Sequence, residues 1–289
     1  MLAAVVAWYA IAFVRGEPAQ GTPFDGVRAL SDVERQVAFG PRLPGSAAHA
    51  QSLDWMESEL TAAGWTVQRQ SLSALGHPLT NLVAFRGEAA PQVLLGAHFD
   101  TRLVADRDTN EARRAQPGPG ANDGASGVAV LLELARTLPA DAVPVWIVFF
   151  DAEDNGRLPG WEWSLGSAAF AENMTVRPQQ MVLLDMVGDR DLLLPMEQNS
   201  DPGLRASIWE TAARLGHDDV FVPELGLAIT DDHLPFLEAG IPAVDIIDLD
   251  YSYWHTTQDT PDKVSSESLQ IVGDVIWTWL VEQQVTGGP

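Results

Sequence analysis

The stretch Val145-Trp-Ile-Val-Phe-Phe-Asp-Ala-Glu-Asp-Asn-Gly156 decides the fold class of this chain. Its first six residues form a continuous apolar run, which is typical of a buried strand. Three carboxylates follow directly, at Asp151, Glu153 and Asp154. In open α/β sheets, ligands bind in the crevice beyond the carboxyl ends of the strands. Because buried carboxylates are costly to desolvate, the stretch predicts that a cation or a substrate amine meets them there.

Similar apolar runs alternate with helical patterns along the rest of the chain. The sequence predicts strands over 65–70, 81–85, 93–99, 145–150, 181–187 and 243–247, and helices over 29–39, 46–63, 124–138, 164–172, 204–215, 232–239 and 265–282. This alternation favours an α/β fold, a three-layer α/β/α sandwich around a mixed, mostly parallel central sheet. Composition does not change after residue 27, so residues 27–289 are expected to form a single catalytic domain.

The N-terminal segment is apolar and carries no charge before Arg15. A helix of about 1.5 Å per residue over 1–14 is too short for a hydrocarbon core of ~30 Å. We interpret residues 1–15 as a membrane anchor or export signal, with an apolar helix packed on the domain as the alternative. Residues 16–26 are rich in Gly, Pro and polar residues and are predicted to be a linker. The protein is therefore expected outside the cytoplasm, anchored or secreted, with no other membrane contact.

Charge and cysteine content exclude several kinds of partner and site. The chain has 40 Asp and Glu against 17 Lys and Arg, a formal charge of −23. This excess disfavours nucleic acid, which needs clustered basic residues, and suits ligands that carry an amine. The chain has no cysteine, so any metal must be held by histidines and carboxylates.

Metal-type ligands follow several of the predicted strands and loops. They are His98 and Asp100, Asp123, Glu153 and Asp154, Asp185, and His255. Histidines and carboxylates with one open position are the ligands of catalytic zinc sites. Each residue also has an ordinary interpretation: Asp123 as a helix N-cap, His98 as a core histidine and Asp185 as a turn residue. Their joint occurrence at the ends of the elements predicts a metal site.

Four other histidines and one aspartate receive structural interpretations. His49, His77 and His217 have polar neighbours and are predicted to lie on the surface. His233 is predicted to be exposed or at the start of a helix, and Asp151 to cap a loop.

Seven stretches of the chain carry a resemblance to a known family. They are Phe39-Gly-Pro-Arg-Leu-Pro-Gly-Ser46, His98-Phe-Asp100, Ala121-Asn-Asp-Gly-Ala-Ser-Gly127, Phe149-Phe-Asp-Ala-Glu-Asp154, Leu184-Asp-Met-Val-Gly188, Asp231-Asp-His-Leu-Pro-Phe-Leu237 and Trp254-His-Thr256. With these, the sequence resembles the zinc-dependent glutaminyl cyclases (glutaminyl-peptide cyclotransferases), which share the zinc aminopeptidase-like fold. The first, sixth and seventh stretches favour the cyclases over the aminopeptidases.

The resemblance implies a role for each matching residue. Asp123, Asp154 and His255 would bind the catalytic zinc, and Glu153 would be the general acid and base. Asp185 and Asp231 would hold the substrate amine. The walls of the substrate pocket would be Trp254, Ile229 and one of Trp161 or Trp163, of which we take Trp161.

Three positions depart from the family pattern. Asp154 stands where the family usually has Glu, and Asp245 stands where the animal cyclases have a histidine near the site. Ala97 replaces a cysteine of the animal enzymes, so their local disulfide is impossible here.

The resemblance predicts a monomeric, one-zinc glutaminyl cyclase that acts on the N-termini of peptides or proteins. The alternative is a zinc aminopeptidase with two metals, in which His98 and Asp185 complete a second site and Asp123 bridges. In that case Glu153 would deprotonate the water that attacks the first peptide bond. A third possibility, a non-catalytic ectodomain, is weakened by Glu153, since a binding module needs no general base.

Overall fold

The computed structural model of the protein describes residues 21–286. The predicted anchor over 1–15 and the first part (16–20) of the predicted linker over 16–26 lie outside the described residues. The first helix begins at Gly26, where Asp25 accepts hydrogen bonds from the backbone amides of Val27 and Arg28, so the predicted linker extends one residue too far. Within the described range, no helix combines the length and the apolar character needed to span a bilayer.

A six-stranded mixed sheet forms the centre of the molecule. The described residues contain eight strands, six of which build this sheet. They are β1 (Thr66–Ala74), β2 (His77–Phe85), β3 (Val93–His98), β4 (Val145–Phe150), β5 (Gln180–Asp185), β6 (Leu194–Met196), β7 (Phe221–Leu225) and β8 (Ala243–Ile247). The central sheet has the order β1-β2-β4-β3-β5-β8. The β1–β2 and β2–β4 pairs are antiparallel, whereas β4–β3, β3–β5 and β5–β8 are parallel. The prediction of a mixed, mostly parallel sheet is confirmed.

Helices cover both faces of this sheet. They are α1 (Gly26–Ala38), α2 (Ala47–Ala62), α3 (Ala125–Thr137), α4 (Leu165–Asn173), α5 (Pro202–Leu215), α6 (Leu234–Glu238) and α7 (Ser266–Thr286). Side chains of β3 alternate between the faces: Leu95 and Ala97 pack into the core shared with α1, α2, α3, α5 and α7, whereas Leu94 packs with Phe170 of α4 and Phe236 of α6. The three-layer sandwich is therefore confirmed.

The parallel strands bring the predicted ligands to one edge of the sheet. In the β3–β4 register His98 pairs with Phe150, and in the β5–β8 register Asp185 pairs with Ile247. These four residues are the last of their strands, so the loops that follow leave the sheet side by side. Such an edge is the usual ligand site of an α/β sheet.

A second, two-stranded parallel sheet, β6–β7, was missed by the sequence analysis. Its strands have only three and five residues, and each contains a proline, Pro195 and Pro223. Proline removes a backbone donor and argues against a central strand, which hides a short edge strand from pattern analysis.

Candidate metal and catalytic site

Two sets of buried metal-type ligands share one aspartate. Site A comprises Asp123, Asp154 and His255, and site B comprises His98, Asp123 and Asp185; within each site the ligand atoms lie within 4.8 Å of one another. In site A, His255 Nε2 lies 2.8 Å from Asp154 Oδ1 and 3.8 Å from Asp123 Oδ2. In site B, His98 Nε2 lies 3.1 Å from Asp123 Oδ1 and 3.2 Å from Asp185 Oδ1.

The chemistry of these donors fits zinc. The two oxygens of Asp123 face different sites, which is the arrangement of a bridging carboxylate. All five side chains are buried, and buried carboxylates at this spacing repel one another unless a cation compensates their charge. The structure thus brings together the five residues that the resemblance implies for one or two metal sites.

Asp123 lies in the loop before α3 and is held in place by a residue that the sequence analysis missed. Asp259 accepts hydrogen bonds from the backbone amides of Asn122 (2.8 Å) and Asp123 (3.2 Å) and from the hydroxyl of Tyr251 (2.6 Å). A Cβ atom at Gly124 would lie 2.5 Å from His98 Nε2, so only glycine lets the helix start this close to β3. Asp259 is 136 residues from Asp123, and no local pattern links the two.

His255 is oriented by a second pair that the sequence did not indicate. Its Nδ1 lies 3.5 Å from Asp106 Oδ1, and Arg102 donates two hydrogen bonds of 2.8 Å to the carboxylate of Asp106. Arg102 also donates to the backbone oxygen of Asp154 at 2.8 Å. A carboxylate behind a ligating histidine sets which ring nitrogen faces the metal, so Arg102 and Asp106 position both unshared ligands of site A.

Asp100 has a similar supporting position behind site B. His98 Nδ1 lies 3.4 Å from Asp100 Oδ1, as expected for two residues on the same side of a strand. The same carboxylate accepts hydrogen bonds from the backbone amides of Glu153 at 2.9 Å and Asp154 at 3.4 Å. Asp100 therefore couples the end of β3 to the loop that carries the proposed base.

Electrostatics of the metal-free site favour charged imidazoles. Burial alone would lower the pKa of His98, but the carboxylates of Asp185, Asp100 and Asp123 outweigh it and hold that pKa well above its usual value. Burial likewise opposes charge on His255, yet Asp154 and Asp106 raise its pKa to about 9. Both rings carry a proton at neutral pH until a metal displaces it.

Zinc binding is consequently expected to strengthen as pH rises between about pH 6 and pH 8. A histidine must lose its proton before its nitrogen can bind zinc, so the dissociation constant should fall about tenfold per pH unit for each proton displaced. The slope of log Kd against pH approaches about −1 if only site A fills, and the slope for the overall Kd approaches about −2 if both sites fill. Competition against a chelator of known affinity at several pH values measures it; a flat dependence would contradict the protonated state of these rings.

Glu153 is a buried carboxyl with few polar partners. Its nearest side-chain donor is the hydroxyl of Ser164, at 3.4 Å. Burial first, and then the carboxylates of Asp232, Asp154 and Asp185, hold the pKa of Glu153 well above its usual value despite the opposing effect of His98. A carboxyl of raised proton affinity is suited to accept and return a proton near neutral pH.

The catalytic cavity has a volume of about 200 Å³ and opens onto these groups. Its apolar walls include Trp163, Trp254 and Ile229, and its carboxyl groups include Glu153, Asp185 and Asp231. The other lining residues are Asp123, Asp154, Arg157, Met186, Ala228, Thr230, Ile247 and Leu249. Burial, followed by the charges of Asp245 and Asp185, holds the pKa of Asp231 well above its usual value. The cavity is smaller than the ~300–1,000 Å³ of sites for drug-sized ligands and suits a single amino-acid residue.

The placement of the predicted tryptophans needs one correction. Trp161 does not line the cavity; its ring stacks on His77 of the β1–β2 hairpin, with 3.7 Å between ring centroids. Trp163, two residues later, takes the wall position, stacks at 6.0 Å on His255 and lies under the guanidinium of Arg102. The loop after β4 decides which of the two rings turns inward, and sequence alone does not reveal that turn.

His49, which was predicted to lie on the surface, and His233, which was predicted to be exposed or at the start of a helix, are both buried. His49 Nε2 lies 2.8 Å from Asp151 Oδ1, and Asp151 also accepts a hydrogen bond from the amide of Thr80, so this pair braces the loop after β4. His233 does begin α6, but it is fully buried. Polar neighbours in the sequence suggested exposure, whereas each ring in fact packs against a distant carboxylate.

The buried His233 belongs to a polar cluster behind the cavity. Its Nε2 lies 3.4 Å from Glu197 Oε2, and its Nδ1 lies 3.7 Å from Asp245 Oδ2. Burial and the charges of Asp185 and Glu197 hold the pKa of Asp245 well above its usual value. Burial would also raise the pKa of Glu197, but His233 and the amides of Asn199 and Ile229 lower it to about 2. Asp245 therefore shares this buried cluster with a histidine from another element.

Comparison with known proteins identifies relatives of both expected kinds. The profile of the family described as Peptidase family M28 matches residues 81–280. The structure of Porphyromonas gingivalis glutaminyl cyclase is similar, with a TM-score of 0.85 and 37% identity over 91% of this chain and 100% of that chain. A Zn-dependent exopeptidase from Parabacteroides distasonis has a TM-score of 0.84 and 33% identity, covering 89% of this chain and 98% of the other.

A curated relative points to the cyclases as well. The glutaminyl-peptide cyclotransferase of Boiga irregularis is 24% identical over 296 aligned residues, which cover 84% of this chain and 76% of that protein. Glutaminyl cyclases and zinc exopeptidases thus both occur among the relatives of this fold, so the choice between them rests on the site.

Proposed function

The chain belongs to peptidase family M28, a family of zinc-dependent enzymes, and from this we propose that it is a glutaminyl cyclase. It would convert the N-terminal glutamine of a peptide or protein to pyroglutamate and release ammonia. One observation carries the proposal. The cavity between Trp163 and Trp254 has room for one residue and is lined by Glu153 and Asp231 as well as by two members of site A. The similarity to the P. gingivalis enzyme along its full length supports it.

Binding in this cavity would fold the substrate onto itself. The glutamine side chain would lie between the tryptophans, and the α-amine would lie against the carboxyls of Asp185 and Asp231. Holding the amine beside the γ-amide carbonyl turns the attack into an intramolecular step of high effective concentration. Zinc held by Asp123, Asp154 and His255 would supply Lewis-acid polarisation of that carbonyl.

Glu153 would then move one proton during the reaction. It takes the proton from the α-amine as the nitrogen forms a bond to the γ-carbonyl carbon. It returns that proton to the amide nitrogen, whose bond to the same carbon breaks, and ammonia leaves. Its raised pKa suits both halves of this transfer.

A specific observation also favours a second candidate, an aminopeptidase. Sites A and B share Asp123 as a bridging carboxylate, which is the layout of two-metal hydrolases. In this case Glu153 would take its proton from a water that attacks the first peptide bond. Asp185 would then serve as a ligand rather than as a partner of the substrate amine.

Product analysis and zinc stoichiometry distinguish the two functions. Purified protein is expected to convert a Gln-peptide to pyroglutamyl peptide with one zinc per chain, and to release no product from a Leu-anilide. His98→Ala should leave this zinc content unchanged. Leucine release with two zinc ions, reduced to one by His98→Ala, would instead establish the aminopeptidase. No turnover of either substrate would support a non-catalytic protein.

A further inference from the structure

A second cavity of about 310 Å³ lies beside the catalytic cavity and has no role in the reaction described above. Its lining combines apolar side chains with three carboxylates. The apolar members are Leu193, Pro195, Leu227, Ile229, Ile247 and Leu249; the acidic members are Glu197, Asp248 and Asp250. We call it the side cavity, and it lies between the small β6–β7 sheet and the loop after β8.

The side cavity and the catalytic cavity share a wall. Ile229, Ile247 and Leu249 line both. Ile229 and Leu249 are only half-buried, so they form a low apolar ridge between the two spaces. A peptide whose first residue fills the catalytic cavity must lead its following residues out over the rim. At about 3.3–3.6 Å per residue, a cavity just across one ridge is within reach of the second or third residue.

Two leucines of the side cavity are exposed to solvent, and a ligand in this cavity would bury them. Leu227 is 64% exposed and Leu193 is 42% exposed, and they are two of the five large apolar side chains that are exposed in residues 21–286. Apolar groups that converge on one concave surface favour an apolar ligand. The shape of the side cavity is also fixed, because Glu197 accepts a hydrogen bond from the amide of Ile229 and Asp248 accepts one from the amide of Leu193.

The charges of the side cavity limit which side chains it accepts. Across the described part of the chain, no lysine or arginine lines it, while Glu197, Asp248 and Asp250 do. Glu197 is ionised, since His233 and backbone amides offset its burial and lower its pKa to about 2. An acidic side chain would be repelled, and an apolar one would bury the exposed leucines.

We propose that the side cavity is a specificity subsite that receives an apolar side chain from the second or third residue of the substrate peptide. This inference rests on the proposed function, because it takes a peptide N-terminus as the occupant of the catalytic cavity. It assigns to this protein a preference for peptides with an apolar residue, and against those with an acidic residue, at the second or third position.

Two peptide series test the subsite in the full-length zinc enzyme. In Gln-Xaa-Gly-Gly-amide and Gln-Gly-Xaa-Gly-amide, Xaa is Gly, Leu or Asp, and pyroglutamate formation is followed by mass spectrometry. At one of the two positions Leu is expected to exceed Gly in kcat/KM by about tenfold, and Asp to fall below Gly. In Leu193→Ser/Leu227→Ser the ratio of Leu to Gly should decrease to within about twofold.

Leu225→Ser is the matched control. Leu225 lies in the same small sheet and is 65% exposed, but it does not line the side cavity, so this variant should keep the tenfold preference. Equal kcat/KM for Gly, Leu and Asp at both positions would overturn the subsite while leaving the cyclase proposal intact. A preference that survives the double variant, or that Leu225→Ser also removes, would overturn it too. If no peptide of either series is cyclised, the proposed function fails and the subsite with it.

Discussion

Glu153→Gln is expected to lower kcat on a Gln-peptide by about 10²–10⁴-fold, the usual contribution of a general acid or base. The amide has the size of the carboxyl but cannot accept the proton of the attacking amine. Glu153 does not belong to site A or site B, so zinc should remain bound at the wild-type stoichiometry. Steady-state kinetics and elemental analysis of the same preparation measure both quantities.

Glu162→Gln serves as the control for this substitution, because Glu162 lies on the same loop but is exposed and does not line the catalytic cavity. It should retain full turnover. If Glu153→Gln loses its zinc together with its activity, Glu153 is a ligand and its assignment as the base is wrong. Turnover within about tenfold of wild type would also rule out a proton-transfer role.

Asp123→Asn should abolish turnover and weaken zinc binding by more than about 100-fold. Residues that only support a ligand typically cost about 10–100-fold in metal affinity, and Asp123 is a direct ligand candidate shared by both sites. The substitution keeps the shape of the side chain but removes the negative charge that a cation needs. The dissociation constant is measured by competition with a chelator at fixed pH.

Asp106→Asn provides a graded comparison. Asp106 belongs to neither site and contacts His255 from behind, so its loss should weaken zinc binding by about 10–100-fold, less than the loss of Asp123. Retention of zinc at wild-type affinity in Asp123→Asn would refute both sites at once, because neither remains complete without this carboxylate.

The fold and the positions of most candidate metal ligands were predictable from local patterns, whereas the resemblance to a known family selected the ligands among them. Apolar runs of about six residues identified the buried strands, and parallel strands necessarily end at the same edge. His98 and Asp185 end β3 and β5 themselves, and Asp154 follows β4 by four residues. Asp123 lies two residues before the first residue of α3, at the same edge. A list of polar residues after apolar runs was therefore nearly a list of the site.

The residues that support the site were not predictable, because no local pattern marks them. Asp259, Asp106 and the His233–Glu197 pair act through contacts between elements that are distant in sequence. Nothing in their neighbourhoods differs from an ordinary polar loop. His49 was misassigned because a polar neighbourhood in sequence was taken for solvent, whereas its buried imidazole has one well-placed partner in Asp151.

By itself, the sequence determined the layers and the sheet, since strand burial and strand ends follow from short apolar runs, and the resemblance to a known family supplied the five candidate metal ligands. Only the tertiary structure decided that Asp123 faces two sites, that Trp163 and not Trp161 forms the wall, and that a second cavity adjoins the first. Those features depend on how loops after different strands pack against one another. Packing of that kind arises from many weak contacts summed over the whole molecule, and no single stretch of residues encodes it.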